Sequence, residues 1–342
     1  MTSNRDDKIL PLGKINPDLL RDVIIPHVGS RSKNVLIRPM HGYDCGVAKP
    51  MGPYETMATD PVLGVPRSLI GFFTFHFPAS DISVFGVKPQ YLVYTLLLPP
   101  GSRVSELEEI VSDVDKECKK YSVSIVSGHT GVYDSIKIPI SVSTAIGYSR
   151  REDLITPGNA KPGDKILVVK ELGLETLVMF AFSNKDELSE IIGRREAKNL
   201  RSRYDELTCV EDAIYLASHK VVHAMHDITE GGLSTALPEM ADASGLGFVV
   251  YEEKLPLNRH TKIFCENYRI DPLSLSSTGT LLCAVPERFE EKTRELLEKR
   301  GVTYSFVGEF LRDKNSRFLS REGHLFRFPE YMKDPYSELI KF

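Results

Sequence analysis

Hydrophobic positions along the chain recur with two different periods. Residues 91–98 (YLVYTLLL) form an unbroken apolar run ended by Pro99-Pro100-Gly101. Its length, its aromatics and the Pro-Pro stop predict a buried strand rather than a helix. Directly after it, Val104, Leu107, Val111, Val114, Cys118 and Tyr121 recur at steps of three and four with Glu, Asp and Lys between them. That spacing predicts an amphipathic helix, with Ser102 or Ser105 available as its N-cap. VSIVSG (123–128) and the alternating ISVSTAIG (140–147) predict strands, so strand, helix and strand form a βαβ-type unit. Upstream, Leu12 to Asp22 reads as a short helix with Asn16 as N-cap and Pro17 at its first position, and Val35 to Ile37 as a strand. From Tyr148 to Asp164 the pattern lapses into polar residues with two Pro and two Gly. The expected domain boundary lies there, giving domains 1–150 and 151–342. The second half shows a strand at 165–169, helical periodicity over 186–204, 210–225 and 287–300, and strands at 246–251 and 280–285.

A chain of 342 residues suits two domains and can bury roughly three-quarters of the surface exposed when unfolded. Hydrophobic residues make up 42% and charged residues 26%, within the range of soluble globular proteins. A net charge of −4 argues against a general nucleic-acid binder. The opening MTSNRDDKIL lacks the apolar core of a signal peptide, and no apolar run approaches about eighteen residues, so no membrane span is expected. Cys45, Cys118, Cys209, Cys265 and Cys283 are odd in number and contain no CxxC pair. They predict neither a disulfide framework nor a thiolate zinc site, and a reducing cytoplasm is the expected location. Packing as small hydrophobes is their expected role.

The common nucleotide signatures are absent: there is no GxxxxGK[ST], no GxGxxG between a strand and a helix, no GxSxG and no HExxH. Five other segments hold candidate chemistry. His41-Gly42-Tyr43-Asp44 sets a carboxylate in a turn, and Thr59-Asp60-Pro61 sets another in extended backbone. Ser80-Asp81-Ile82-Ser83 supplies a third, followed by Gly86-Val87-Lys88-Pro89. Ser127-Gly128-His129-Thr130-Gly131 is expected to end a strand with small residues that expose backbone N–H groups to an anion. Aspartates also serve turns by bonding their own backbone, which is the commoner reason for finding them there. If the three carboxylates converge, a divalent cation with phosphate oxygens would relieve their repulsion. The fifth segment, Asp227-Ile228-Thr229-Glu230-Gly231-Gly232, leads from an apolar stretch into a helix-like run. Its glycines would let an oxyanion approach the helix N-terminus; equally, Asp227 or Thr229 could simply be the N-cap. His219, His223 and His226 fall four and three apart on the helix expected there, as metal ligands on one face or as last-turn cations that complement the dipole.

In this order the segments resemble the ATP-binding superfamily of aminoimidazole ribonucleotide synthase, which also holds selenophosphate synthetase, thiamine-monophosphate kinase and the hydrogenase-maturation carbamoyl dehydratase. The resemblance runs from Gly13 to about Val285 and is nearest to the hydrogenase-maturation branch. The family's Gly-Asp-Asp looks like GYDCGVA, with Asp44 matching the second Asp and Tyr43 replacing the first. Its Thr-Asp matches Thr59-Asp60, and its Asn-Asp-containing motif matches SDISVFGVKP, which keeps Asp81, Gly86, Lys88 and Pro89 but has Ser80 for Asn. Its Gly-Gly-Asp-Thr looks like Ser127-Gly128-His129-Thr130, and its second-domain Asp-x-Thr-x-Gly-Gly is met by Asp227, Thr229, Gly231 and Gly232. Asp271-Pro272-Leu273 and Gly279-Thr280-Leu281-Leu282 match the later motif.

The resemblance implies an α+β protein of two domains. The N-terminal domain would pair its sheet with that of a second subunit to form a shared barrel, and the C-terminal domain would be an α/β-type sandwich binding substrate or phosphate. It implies an ATP- and divalent-metal-dependent phosphotransferase or ligase-like enzyme that activates an unidentified small molecule, working as a homodimer. Asp44, Asp60 and Asp81 would hold Mg2+, and Asp81, His129 and Asp227 would take part in the chemistry. Lys14, Lys88, Gly128, His129, Thr130, Thr229, Gly231 and Gly232 would face the nucleotide. His129 stands where better-known members carry an acidic magnesium ligand. Imidazole suits softer metals or direct phosphate contact, so Mn2+ or another divalent ion is a further expectation. With Tyr43 the site is less acidic than in those members, which leaves as the alternative a catalytically degenerate nucleotide-binding or regulatory protein. The hydrogenase-maturation enzyme acts on a cysteine at its own C-terminal end, whereas this sequence closes YSELIKF after a last cysteine at Cys283. That activity is therefore not expected here.

Overall fold

The computed structural model describes residues 8–40, 42 and 45–342. They divide into two compact units, the first running to Ile82 and resuming over Val87–Glu152, the second comprising Ser83–Gly86 and Asp153–Phe342.

The first unit holds β1 (Gly13–Lys14), β2 (Val35–Ile37), β3 (Val47–Ala48), β4 (Tyr54–Val62), β5 (Pro89–Leu98), β6 (Ser124–Val132) and β7 (Ile140–Ser149). Five of them form one open sheet in the order β1-β6-β5-β7-β4, while β2 and β3 pair separately. β5 and β6 run parallel, joined by the helix Val104–Lys120, as the apolar periodicity of this stretch predicts. That helix is not capped by Ser102 or Ser105. Its N-cap is Arg103, whose backbone N–H donates to the Glu106 carboxylate at 2.7 Å, so the acidic residue at the third helical position does the capping. Along β5, Leu92, Tyr94, Leu96 and Leu98 are buried, while Val93, Thr95 and Leu97 between them are half-buried.

A second helix, Ile70–Val84, has no counterpart in the sequence reading. It is mostly apolar with its few polar residues not gathered on one face, contains Pro78 and is rich in Phe, so it has neither a polar stripe nor a favourable local propensity. Burial holds it: Phe73 and Phe75 have no exposed surface. On it His76, 1% exposed, lies 3.1 Å from Glu117 of the helix Val104–Lys120, with the Phe72 ring 4.1 Å from the imidazole.

The second unit is built on a seven-stranded sheet of β8 (Lys165–Val169), β9 (Ala224–Ile228), β10 (Gly247–Tyr251), β11 (Thr280–Val285), β12 (Tyr304–Leu311), β13 (Arg317–Arg321) and β14 (His324–Arg327). Their order is β14-β13-β10-β12-β8-β11-β9, antiparallel except for β10 with β13. Ile166 and Val168 of β8 join one core with Leu237, Met240 and Ala241 of the helix Leu233–Ser244. Leu167 and Val169 join another with Ala213, Leu216 and Leu297 on the other face. A sheet covered on both faces explains why KILVV and TLLCAV read as unbroken apolar runs.

Several boundaries differ from the sequence reading. The first helix starts at Pro17, not Leu12, because Gly13 and Lys14 are used as β1. The helix expected over 210–225 stops at Ser218, and Ala224 already opens β9. Leu174–Ser183 is a helix without clear periodic signal, again mostly apolar. No helix among the described residues is long and apolar enough to cross a membrane. All five cysteines are free; four are buried and Cys45 is exposed.

Burial pushes the Glu117 carboxyl up, but its hydrogen bond to His76 and the nearby lysines outweigh this and hold it below the usual range. A depressed carboxyl stabilises the fold fully above its unfolded value of about 4.3, and that contribution is lost as pH falls through the folded value. Glu117→Gln should cost about 2 kcal/mol in urea unfolding at pH 7. It should also lose less stability than the wild type between pH 5 and 3; equal losses on that limb would rule the pair out as the cause.

Candidate functional site

In the first unit a cleft of about 590 Å³ opens beside β6. Three local features build it. Gly13-Lys14 adds to β6 as an antiparallel edge, with Lys14 opposite Gly131 and the Ile15 N–H donating to the Thr130 carbonyl at 3.2 Å. Asn16-Pro17 then ends the strand and starts a helix, the Asn16 side chain accepting the Leu19 N–H at 2.9 Å as the sequence predicts. The turns that follow bring Leu20, Ile24 and Ile25 to the cleft wall. On the other side, the chain passes at Gly46 so close to β6 that an added Cβ would lie 1.6 Å from the Val126 carbonyl oxygen.

Ile15, Ile24, Val28 and Ile125 give this cleft an apolar lining, and Lys14, Asn16, Ser127, His129 and Thr130 give it polar groups. Tyr94 also lines it; burial pushes its phenol far above the ordinary value, so the ring remains neutral. Of the residues singled out from sequence, Lys14, Gly128, His129 and Thr130 meet here. The Ser127–Gly131 segment does not end its strand as expected. β6 continues to Val132 and pairs with β5, Thr95 opposite His129, so these residues sit in a strand ladder rather than in a loop.

The carboxylates are distributed differently. Asp60 lies on β4 opposite Ser143, in the extended backbone expected before Pro61. Asp81 is not in a turn but near the end of the helix Ile70–Val84, half-buried. Asp44, like Tyr43 and His41, lies outside the described residues. Lys88 is exposed just before β5. Carboxylate oxygens suit Mg2+, but among the described residues no three His, Cys, Asp or Glu side chains gather as a metal-binding group.

In the second unit, Asp227 ends β9 and Thr229, Gly231 and Gly232 turn the chain into the helix Leu233–Ser244. Neither Asp227 nor Thr229 caps it: the N-cap is Gly232, with φ 60° and ψ −150°. A Cβ there would lie 2.6 Å from the carbonyl oxygens of Leu273 and Leu275, so only glycine combines this backbone with this packing. The Gly231 N–H donates to the Asp334 carboxylate at 2.7 Å. A side chain 103 residues away thus supplies the negative charge that the helix N-terminus favours. The Ser234 hydroxyl donates to the Gly231 carbonyl at 2.7 Å and accepts the Met332 N–H at 3.2 Å.

The three histidines share no helical face. His219 follows the helix Val210–Ser218 and its Nδ1 donates to the Tyr215 carbonyl at 2.8 Å, the local C-terminal role. His223 pairs with Asp164 at 2.8 Å. His226 sits on β9, 3.5 Å from the Asp227 carboxylate and 3.4 Å from Glu239. Burial pulls its imidazole down, yet these acidic partners outweigh burial and push it up to about 10. Sequence reasoning missed His27 and Tyr94, which line the cleft, and Asp334, which accepts from the Gly231 N–H; they are scattered along the chain and carry no motif.

Asp334→Ala should lower stability by about 1 kcal/mol, the usual worth of a lost N-terminal cap. Gly232→Ala should cost at least about 2 kcal/mol, combining a strained φ with a backbone clash. Chemical denaturation of both variants checks the order; an Asp334→Ala loss larger than that of Gly232→Ala contradicts it.

The comparisons with known proteins agree with this architecture. Residues 43–148 match the AIR synthase related protein, N-terminal domain, and residues 161–319 match the AIR synthase related protein, C-terminal domain. A protein of Methanocaldococcus jannaschii named for hydrogenase expression and formation is 27% identical over 296 residues, 85% of each chain. Thiamine-monophosphate kinase of Pyrococcus abyssi is 28% identical over 229 residues, 67% of each chain. A crystal structure of the hydrogenase maturation protein HypE in complex with ATP has the same fold, with a TM-score of 0.73 at 21% identity over 94% of this chain and 96% of that one. With both domains matched in order, the chain belongs to the AIR synthase-related family.

Proposed function

We propose that this protein is an ATP-dependent enzyme that activates a small molecule by phosphoryl transfer. The observation that carries the reading is the cleft of the first unit, where Lys14, Gly128, His129 and Thr130 meet beside an apolar lining. Its volume, about 590 Å³, is in the range of nucleotide-sized ligand pockets. The apolar part would take the base, and Lys14 with the β6 side chains would take the phosphates. Two relatives support the nucleotide: one is a thiamine-monophosphate kinase, and the HypE structure holds ATP.

Asp44, Asp60 and Asp81 would hold a magnesium or manganese ion, which would neutralise charge on the transferring phosphoryl group. Lys88 would add a further cation to the nucleotide site. Asp227, Thr229, Gly231 and Gly232 would serve phosphate or substrate in the second unit; for Gly231 that requires Asp334 to yield its N–H. A nucleotide-binding protein without turnover is the second reading, favoured by that occupied N–H and by the imidazole at position 129. A cytoplasmic location fits the five free cysteines.

A shared barrel with a second copy is part of the proposal. Met57 is 59% exposed on β4, and Val142, opposite Pro61 on β7, is 36% exposed. These apolar side chains stand on one face of an open sheet whose cover a second sheet would provide. Within one chain, Asp60 on β4 and His129 on β6 are three strand spacings apart, about 14 Å; a barrel of two sheets would let both subunits contribute to one site.

Thermal unfolding with ATP or ADP, each with Mg2+, Mn2+ or EDTA, tests the nucleotide. ATP at a hundred times its dissociation constant should add about 2.7 kcal/mol, a shift of several degrees. No shift under any condition overturns the proposal. Where ATP binds, substrate-dependent ADP release separates the enzyme from the silent binder, and Asp81→Asn should abolish that release while leaving the unfolding temperature within a few degrees. Sedimentation should give a dimer for the wild type and a monomer for Met57→Glu; a wild-type monomer refutes the barrel.

A further inference from the structure

The His129 imidazole is tied at one nitrogen to a residue outside the cleft. Its Nε2 lies 2.6 Å from the Tyr133 hydroxyl, with the two rings nearly parallel at 25°. The sequence makes room for this: a Cβ at Gly131 would lie 2.7 Å from the Tyr133 ring, so only a residue without a side chain lets the ring lie over β6 at that point. His129 lines the cleft and Tyr133 does not, which leaves Nδ1 as the nitrogen available to a ligand.

A neutral imidazole has one donor nitrogen and one acceptor nitrogen, and the partner of one decides the character of the other. A phenol is a better donor than acceptor, and an imidazole lone pair is a strong acceptor, so the Tyr133 O–H donates to Nε2. The ring proton then resides on Nδ1. When the ring is protonated, Nε2–H donates to the phenol oxygen and Nδ1 keeps its proton. In both states Nδ1 is a donor, and Nε2 has no lone pair free for a cation.

We propose that Tyr133 is a positioning residue that fixes His129 as an Nδ1–H donor, so that His129 binds a phosphate oxygen of the nucleotide directly and ligates no metal ion. Lys14, opposite Gly131 on β1, lines the same cleft and supplies the charge that such an anion needs. The inference rests on the nucleotide reading of this cleft. It adds the chemistry of one contact: an anionic oxygen is recognised here without a metal bridge, so part of the ATP affinity persists in EDTA.

Two measurements test it. Long-range nitrogen–proton NMR of the wild type at pH 8 should show His129 as the Nδ1–H tautomer, and Tyr133→Phe should convert it to Nε2–H or to a mixture. Titration calorimetry with ATP in EDTA should show binding to the wild type, weakened about tenfold in Tyr133→Phe, with the unfolding temperature of the variant changed little. An Nε2–H tautomer in the wild type overturns the inference whether or not ATP binds. ATP binding that is lost wholly in EDTA, or is equal in the two proteins, also overturns it while the nucleotide reading stands. Absence of ATP binding with every metal removes the nucleotide reading, and with it the phosphate contact, and leaves the tautomer as a property of the pair alone.

Discussion

Strand β6 is approached on its open edge by backbone that leaves no room for side chains. At Gly46 the gap to the Val126 carbonyl is smaller than a single methyl group requires. A little further along, Lys14 pairs with Gly131, and the Tyr133 ring folds back over that same glycine. The cleft is the space left between these close approaches. Its lining from Lys14, His27, Met40 and Thr130 comes from four separate stretches of chain, held in register because β6 itself is fixed by its parallel pairing with β5. If β6 slipped by one residue, His129 and Ser127 would exchange faces with Gly128 and Thr130, and the pairing of Lys14 with Gly131 would be lost.

The second unit solves a related problem at the end of β9. Two glycines let the chain turn sharply against the carbonyls of Leu273 and Leu275, and the helix that follows begins without a capping side chain of its own. The orphan donor at Gly231 is met by Asp334, held in place by a stretch that also buries Phe328 and docks Met332 on Ser234. Local sequence therefore specifies a helix N-terminus open to an anion, and a distant carboxylate decides what occupies it. The same logic applies to the histidines. Spacing suggests a shared face, but His223 and His226 are drawn to Asp164, Asp227 and Glu239 because the chain has already left the helix.

Where a pattern is local, the sequence is sufficient. The helix Val104–Lys120 follows from periodicity, and the strands β5, β8 and β11 from short apolar runs, because one face or two must be removed from water. Asn16-Pro17 fixes a helix start, and the ordered glycine and aspartate motifs identify the family and three of the residues in the cleft, Gly128, His129 and Thr130. The tertiary structure decided the rest. Helices Ile70–Val84 and Leu174–Ser183 are mostly apolar with no polar stripe, so they carry no clear period to read and exist because they are buried. Asp81 became helical with the first of them. His27, Tyr94, Tyr133 and Asp334 acquire their roles through contacts across the fold, which no short window of sequence contains. The glycines are legible as letters, but their necessity at positions 46 and 232 comes from a carbonyl oxygen brought close by a different part of the chain.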